Sequence, residues 1–198
     1  MQLLRRAEEP VAARPGRLRA AWRAVHEPIA GVSRRMQLVA RVVPFTVLPA
    51  GIWRLPVAFD ERIALGERAY VVLLSVLSEA LACTAFGLVA RWGEVFPRWI
   101  PSLGGRRVPT MTAVIPAAIG ATILTLLFTL LFLVSEIRGT TIRGDILSAD
   151  SPGRAGGWED AWFYFCYAPL TLWGPLLAVL TVAYWKRRRA AGNVPAAA

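Results

Sequence analysis

The chain has 198 residues and is 56% hydrophobic but only 18% charged, with a mean hydropathy of +0.47. A soluble domain sits nearer about 45–50% apolar and about 25% charged, so this composition excludes an ordinary cytosolic enzyme, and it excludes wholesale disorder. Cys83 and Cys166 are the only cysteines and His26 the only histidine, too few for a disulfide scaffold, a cysteine-rich metal site or a multi-histidine centre.

The net charge of +10 is unevenly spread. Residues 1–41 carry +6, the stretch 91–109 carries +3 and 186–189 carries +4, whereas 53–69 is neutral and 135–160 is −2. Excess positive charge therefore alternates from segment to segment, as the positive-inside rule requires of a multi-span membrane protein, and no nucleic-acid partner is expected.

Residues 1–36 form a basic arm. Within it Pro15–Pro28 has the pattern of a short amphipathic helix, with Leu18, Trp22 and Val25 opposed to Arg17, Arg19 and Arg23. A disordered arm is the other reading, given Pro10, Pro15 and Pro28. No signal peptide is expected, because no short apolar stretch with a small-residue cleavage site follows the first arginines.

Crossing ~30 Å of hydrocarbon takes about 20 apolar residues at ~1.5 Å each. Four segments qualify: Gln37–Phe59, Tyr70–Ala90, Thr110–Val134 and Ala161–Trp185. The first is the weakest, with Arg41, Pro44, Pro49, Arg54 and Pro56, and is expected to kink. The fold class is thus all-α: a transmembrane domain of four helices over 37–188, followed by a short tail over 189–198. Both termini and the 91–109 loop belong on the cytoplasmic side of a bacterial plasma membrane. The loop Ser135–Asp160 is rich in glycine and aspartate but lacks the ligand spacing of a calcium loop, so a solvated connection is expected.

Glu79 stands out. It lies nine residues after Tyr70, about 14 Å below that end of its span, where an ionisable group costs about 3 kcal/mol or more and faces the protein interior. Ser75, Glu79, Cys83 and Gly87 recur four apart on one helix face, with Ser78 beside them. A matching row on the third span runs Ala113, Ala117, Ala121, Thr125 and Thr129, and Thr122 reaches the level of Glu79. On the fourth span Thr171 falls near that level, with Tyr167 one turn outward. Arg54 lies five residues from the end of the first span and is expected either to pair with Glu79 or to snorkel outward. Glu79, Arg54, Ser75, Ser78, Thr122, Tyr167 and Thr171 make the candidate polar core. Cys83 and Cys166 differ in depth by about 12 Å and are expected to be free, packed thiols.

The 91–109 loop places Trp92, Phe96 and Trp99 at headgroup level, with Pro97, Pro101 and Pro109 stiffening it. Gly104-Gly105 beside Arg106 and Arg107 suits either an interfacial connector or a lipid-phosphate site. Arg106, Arg107, Trp92 and Trp99 are the headgroup candidates. No cofactor or metal is expected, since neither the phosphate-loop nor the dinucleotide spacing occurs.

At this loop the chain resembles a group of uncharacterised bacterial multi-pass membrane proteins. The likeness rests on Leu77-Ser78-Glu79, Trp92–Trp99, Gly104–Pro109, Tyr167–Leu170 and Trp173–Leu176, and covers residues 40–188. It implies the four-span organisation and brings no activity with it. Three functional readings follow from the residues. One is a non-enzymatic bundle that binds membrane lipid, a partner subunit or a second copy. Another is an enzyme on a lipophilic substrate, with Glu79 as general acid or base and Tyr167 or Arg54 orienting it. The third is a small oligomeric transporter. The four spans contain no His, Asp or Lys beside Glu79, which weighs against catalysis.

Overall fold

The computed structural model describes residues 31–95, 105–140, 146, 153 and 156–192. The amphipathic segment Pro15–Pro28, His26 and Trp99 lie outside the described residues. Four helical stretches are long and apolar enough to cross a membrane: Arg34–Phe59, Leu65–Leu88, Thr110–Arg138 and Trp158–Ala191. Each contains the segment expected from hydropathy or, for the second, stops two residues short of it.

The ends differ from that expectation because helices outrun the hydrocarbon. Ser33 caps the first span, its Oγ accepting from the Met36 amide. The helix then continues through Pro44, Pro49 and Pro56. The second span starts at Leu65 rather than Tyr70, with Glu67 in its first turn, where a carboxylate suits the helix dipole. It is α-helical to Cys83 and tightens into a 3₁₀ turn over Thr84–Leu88. The third span ends at Arg138 instead of Val134, closed by Gly139 in the left-handed conformation (φ 65°), whose amide donates to the Ser135 carbonyl.

Prolines divide the fourth span into Trp158–Tyr167, a 3₁₀ turn over Ala168–Leu172, and Trp173–Gly192. Pro175 has no amide hydrogen to give the carbonyl of Thr171, four residues earlier. The third span supplies the missing donor: Thr129 Oγ1 donates to the Thr171 carbonyl at 2.6 Å. Thr129 sits in a π-helical turn, Thr125–Leu130, opposite this break. Beside it Gly174 lies so close to Thr125 that a Cβ there would collide with the Thr125 backbone.

The second span packs on the first, the first on the fourth, and the fourth on the third. The buried core lies where three of them meet. Ala40, Val43, Val47 and Ala50 of the first span face Ala82, Ala85 and Leu88 of the second and Leu170, Trp173, Leu180 and Tyr184 of the fourth. The 3-4-3 spacing of the first-span residues is that of a coiled-coil seam. Outside this core the helices turn large apolar side chains outward. Only 6% of the third span's most apolar stretch is buried, and Ile115, Ile119, Ile123 and Leu127 are among its exposed residues. Such a surface suits acyl chains and not water.

The described start of the first span, residues 88–95 and the end of the fourth span lie at one end of the molecule: Gly31 lies beside the Arg187 side chain, which in turn contacts Leu88 and Glu94. This is the basic end.

The Thr129–Thr171 bond is testable. Thr129→Val preserves shape but leaves the carbonyl freed by Pro175 unmatched. A loss of about 0.5–2 kcal/mol is expected, read as a lower melting temperature of the detergent-solubilised protein, with Thr122→Val as the unaffected control.

Candidate functional site

The expected polar core divides into separate parts. Arg54 Nε donates to Tyr167 Oη at 3.1 Å, and its guanidinium lies 5.4 Å from the centre of that ring. Trp53 and Phe163 complete the cluster, with centroids 5.3 Å and 4.7 Å from Tyr167. Glu79 is not part of it. Counted from Leu65, Glu79 lies 14 residues into its helix, about 21 Å, whereas Arg54 lies five residues from Phe59, about 7.5 Å. The earlier start of the second span therefore puts the two groups about 13 Å apart in depth, and the Arg54–Glu79 pair is not formed.

Glu79 is half-buried and, among the described residues, makes no hydrogen bond or ion pair. With Val71, Ser75, Ser78 and Ala82 it marks the less exposed side of the second span, which packs on the first. The two serines bond back to the carbonyls of Val71 and Leu74. Cys83, placed on that face by its spacing, is exposed; Cys166 is buried, and both are free thiols. Thr122 is exposed and bonds back to Ala118. Thr171 serves the third span through its carbonyl, as described above. The row Ala113 to Thr129 turns its lower half to the fourth span, through Thr125 and Thr129, and not to the second.

A cleft of about 810 Å³ separates the second and third spans at the basic end. One wall is Leu81, Thr84, Gly87 and Leu88. The other runs from Thr112 through Ala113, Pro116, Ala117 and Gly120 to Leu124, and Trp173 and Leu177 of the fourth span form the floor. The volume is within the roughly 300–1,000 Å³ of sites that take small ligands. From Thr112 to Leu124 the wall is about 18 Å long, close to the ~15 Å depth of one hydrocarbon leaflet. Ala113, Ala117 and Gly120 keep it open, because small side chains leave the space a leucine row would fill.

Trp92 lines the cleft at its basic end. Its indole lies over Gly87, where a Cβ would come within 2.7 Å of the ring. Gly93 in turn approaches the Gly87 carbonyl so closely that no side chain fits there. Trp92 is thus turned into the cleft and lines it, where the sequence suggested a headgroup anchor. Arg106 and Arg107 are exposed at this end, beyond Gly105 (φ 79°), and Val95 pairs with Arg107 across the two arms of the connection.

The end of the fourth span holds both sides of the opening. Arg187 donates to the Leu88 carbonyl at 3.2 Å and to Glu94 Oε1 at 2.9 Å. Arg188 donates to the Val108 carbonyl at 2.7 Å and to Thr110 Oγ1 at 3.3 Å, and lies 3.8 Å from Glu94 Oε2. Tyr184 Oη donates to the Gly93 carbonyl at 3.1 Å. The Glu94 carboxylate is therefore shared by two guanidiniums that each also grip a carbonyl at the rim. All three side chains are more than four-fifths buried, so this pair is stronger than an exposed one. Sequence reading missed it: Lys186–Arg189 carried only a topology signal, and Glu94 lies 93 residues from Arg187.

Comparison with protein-family models, with curated proteins and with solved structures finds no match for this chain.

A double-mutant cycle tests the clasp. Glu94→Gln and Arg187→Gln are each expected to lower stability by about 1.5–3 kcal/mol. The double variant should cost clearly less than the sum, a coupling of about 1 kcal/mol or more. Additive losses in detergent melting would show that the two side chains act independently.

Proposed function

We propose that this protein is a non-enzymatic, four-span bundle that holds one acyl chain of a membrane lipid in the cleft between its second and third spans. The cleft is the observation that carries this reading: it is apolar, open at one leaflet's depth, and floored by Trp173 and Leu177. In a bilayer, the molecules available to fill such a space are lipids, and an unfilled cavity costs the lining its dispersion contacts.

The basic end belongs on the cytoplasmic side of a bacterial plasma membrane, with both termini inside. Arg34, Arg35, Arg91, Arg106, Arg107 and Lys186–Arg189 gather there against Glu94, which supports that orientation by the positive-inside rule.

The enzymatic reading has less support. Tyr167 is engaged by Arg54, and Glu79 lies on the side of the second span turned to the first, outside the residues that line the cleft. No acid–base pair is assembled around a substrate-sized space by these residues.

Native mass spectrometry of the solubilised protein tests the proposal. Thr84 is exposed into the cleft, so Thr84→Trp fills it without entering the core. Retained lipid should fall about tenfold or more, equivalent to about 1.4 kcal/mol. Leu73→Trp, at an exposed position away from the cleft, should retain lipid as the native chain does. Equal retention by both variants would overturn the proposal.

A further inference from the structure

Next to residues that line the basic end of the cleft stand three arginines that, among the described residues, form no ion pair. Arg91 immediately precedes the cleft residue Trp92, and Arg107 immediately precedes the cleft residue Val108. With Arg106 these side chains are exposed, and among the described residues none forms an ion pair. Glu94, the acid nearest to them in the connection, is already taken by Arg187 and Arg188. The Val95–Arg107 bridge and the bond from the Val108 amide to the Glu94 carbonyl, at 2.8 Å, tie the arms of the connection together. The backbone at Arg91 and at Arg107 is thereby kept at the same end of the cleft, with Arg106 next in sequence to Arg107.

We infer that the lipid in the cleft is an anionic glycerophospholipid, its phosphate held at the opening by Arg91, Arg106 and Arg107. The inference rests on the acyl-chain reading above and adds the choice of headgroup. A guanidinium presents paired donors that match two oxygens of a phosphate, and does so best when no carboxylate of the protein competes. The clasp keeps Glu94 from competing. A choline headgroup would bring its own cation to these arginines and be repelled, whereas a glycerol headgroup adds only hydroxyls. The length of the cleft fits a chain entering from the leaflet at the basic end, so phosphate and chain are recognised by the same opening.

The test uses the full-length protein in nanodiscs of equimolar phosphatidylglycerol and phosphatidylcholine, followed by extraction and mass analysis of the lipid that stays bound. The native chain should retain phosphatidylglycerol over phosphatidylcholine by about tenfold or more. The triple variant Arg91→Gln, Arg106→Gln, Arg107→Gln should retain as much lipid in total but without preference, and the corresponding lysine variants should keep part of the preference. Melting of the variants at the native temperature shows that the fold is intact. Retention of both lipids equally by the native chain, still abolished by Thr84→Trp, would overturn the headgroup inference and leave the acyl-chain reading standing. Retention unaffected by Thr84→Trp would overturn that reading itself. Millimolar inorganic phosphate should not displace the lipid; displacement by phosphate alone would show that the arginines hold a free anion and not a lipid.

Discussion

Two guanidiniums at the end of the last helix determine how far apart the second and third spans stand at the basic end. Arg187 reaches the end of the second span, Arg188 reaches the start of the third, and Glu94 between them neutralises both. Buried to this degree, these charges are costly to leave unpaired, so the three groups hold one another in place. The first turn of the connection is packed tightly on the second span, because Gly93 and Gly87 are in backbone contact and Trp92 covers the latter. The cleft is therefore bordered, at the basic end, by side chains that hold one another in place.

Small residues do two different jobs on the third span. At Thr125 the row meets Gly174 and the backbones approach as closely as two helices can. Toward the basic end, Ala113, Ala117 and Gly120 line the cleft on the side of the second span, and there the same smallness leaves room, while Gly120 lies against Leu177 of the fourth span. The change follows from the fourth span. Its break at Pro169 and Pro175 is repaired by Thr129, which pins the third span there, while the clasp pins both spans at the basic end. Between these two fixed points the third span is held against the fourth and away from the second.

Hydropathy made the four spans legible. These depend on composition over twenty residues, and local detail hardly alters them. Depth was less legible. Taking the second span from Tyr70 left Glu67 and Arg68 outside it, yet a helix carries such residues past the hydrocarbon; that shift of five residues moved Glu79 out of reach of Arg54. Tyr167, expected beside Glu79, is engaged by Arg54. The cleft and its clasp had no local signal, since they join Leu81–Glu94, Val108–Leu124 and Trp173–Arg188, segments brought together only by packing. The alanine row and Gly87 were visible, but small residues alone do not distinguish a tight seam from an opening.

The most direct measurement places a benzoylphenylalanine photo-crosslinker at position 84 in native-lipid nanodiscs and maps its products by mass spectrometry. The account predicts a covalent adduct with a lipid acyl chain, because Thr84 faces a lipid-filled cleft. Cross-links from position 84 to residues 112–124 of the same chain, with no lipid adduct, would mean that the second and third spans pack directly together and would contradict it.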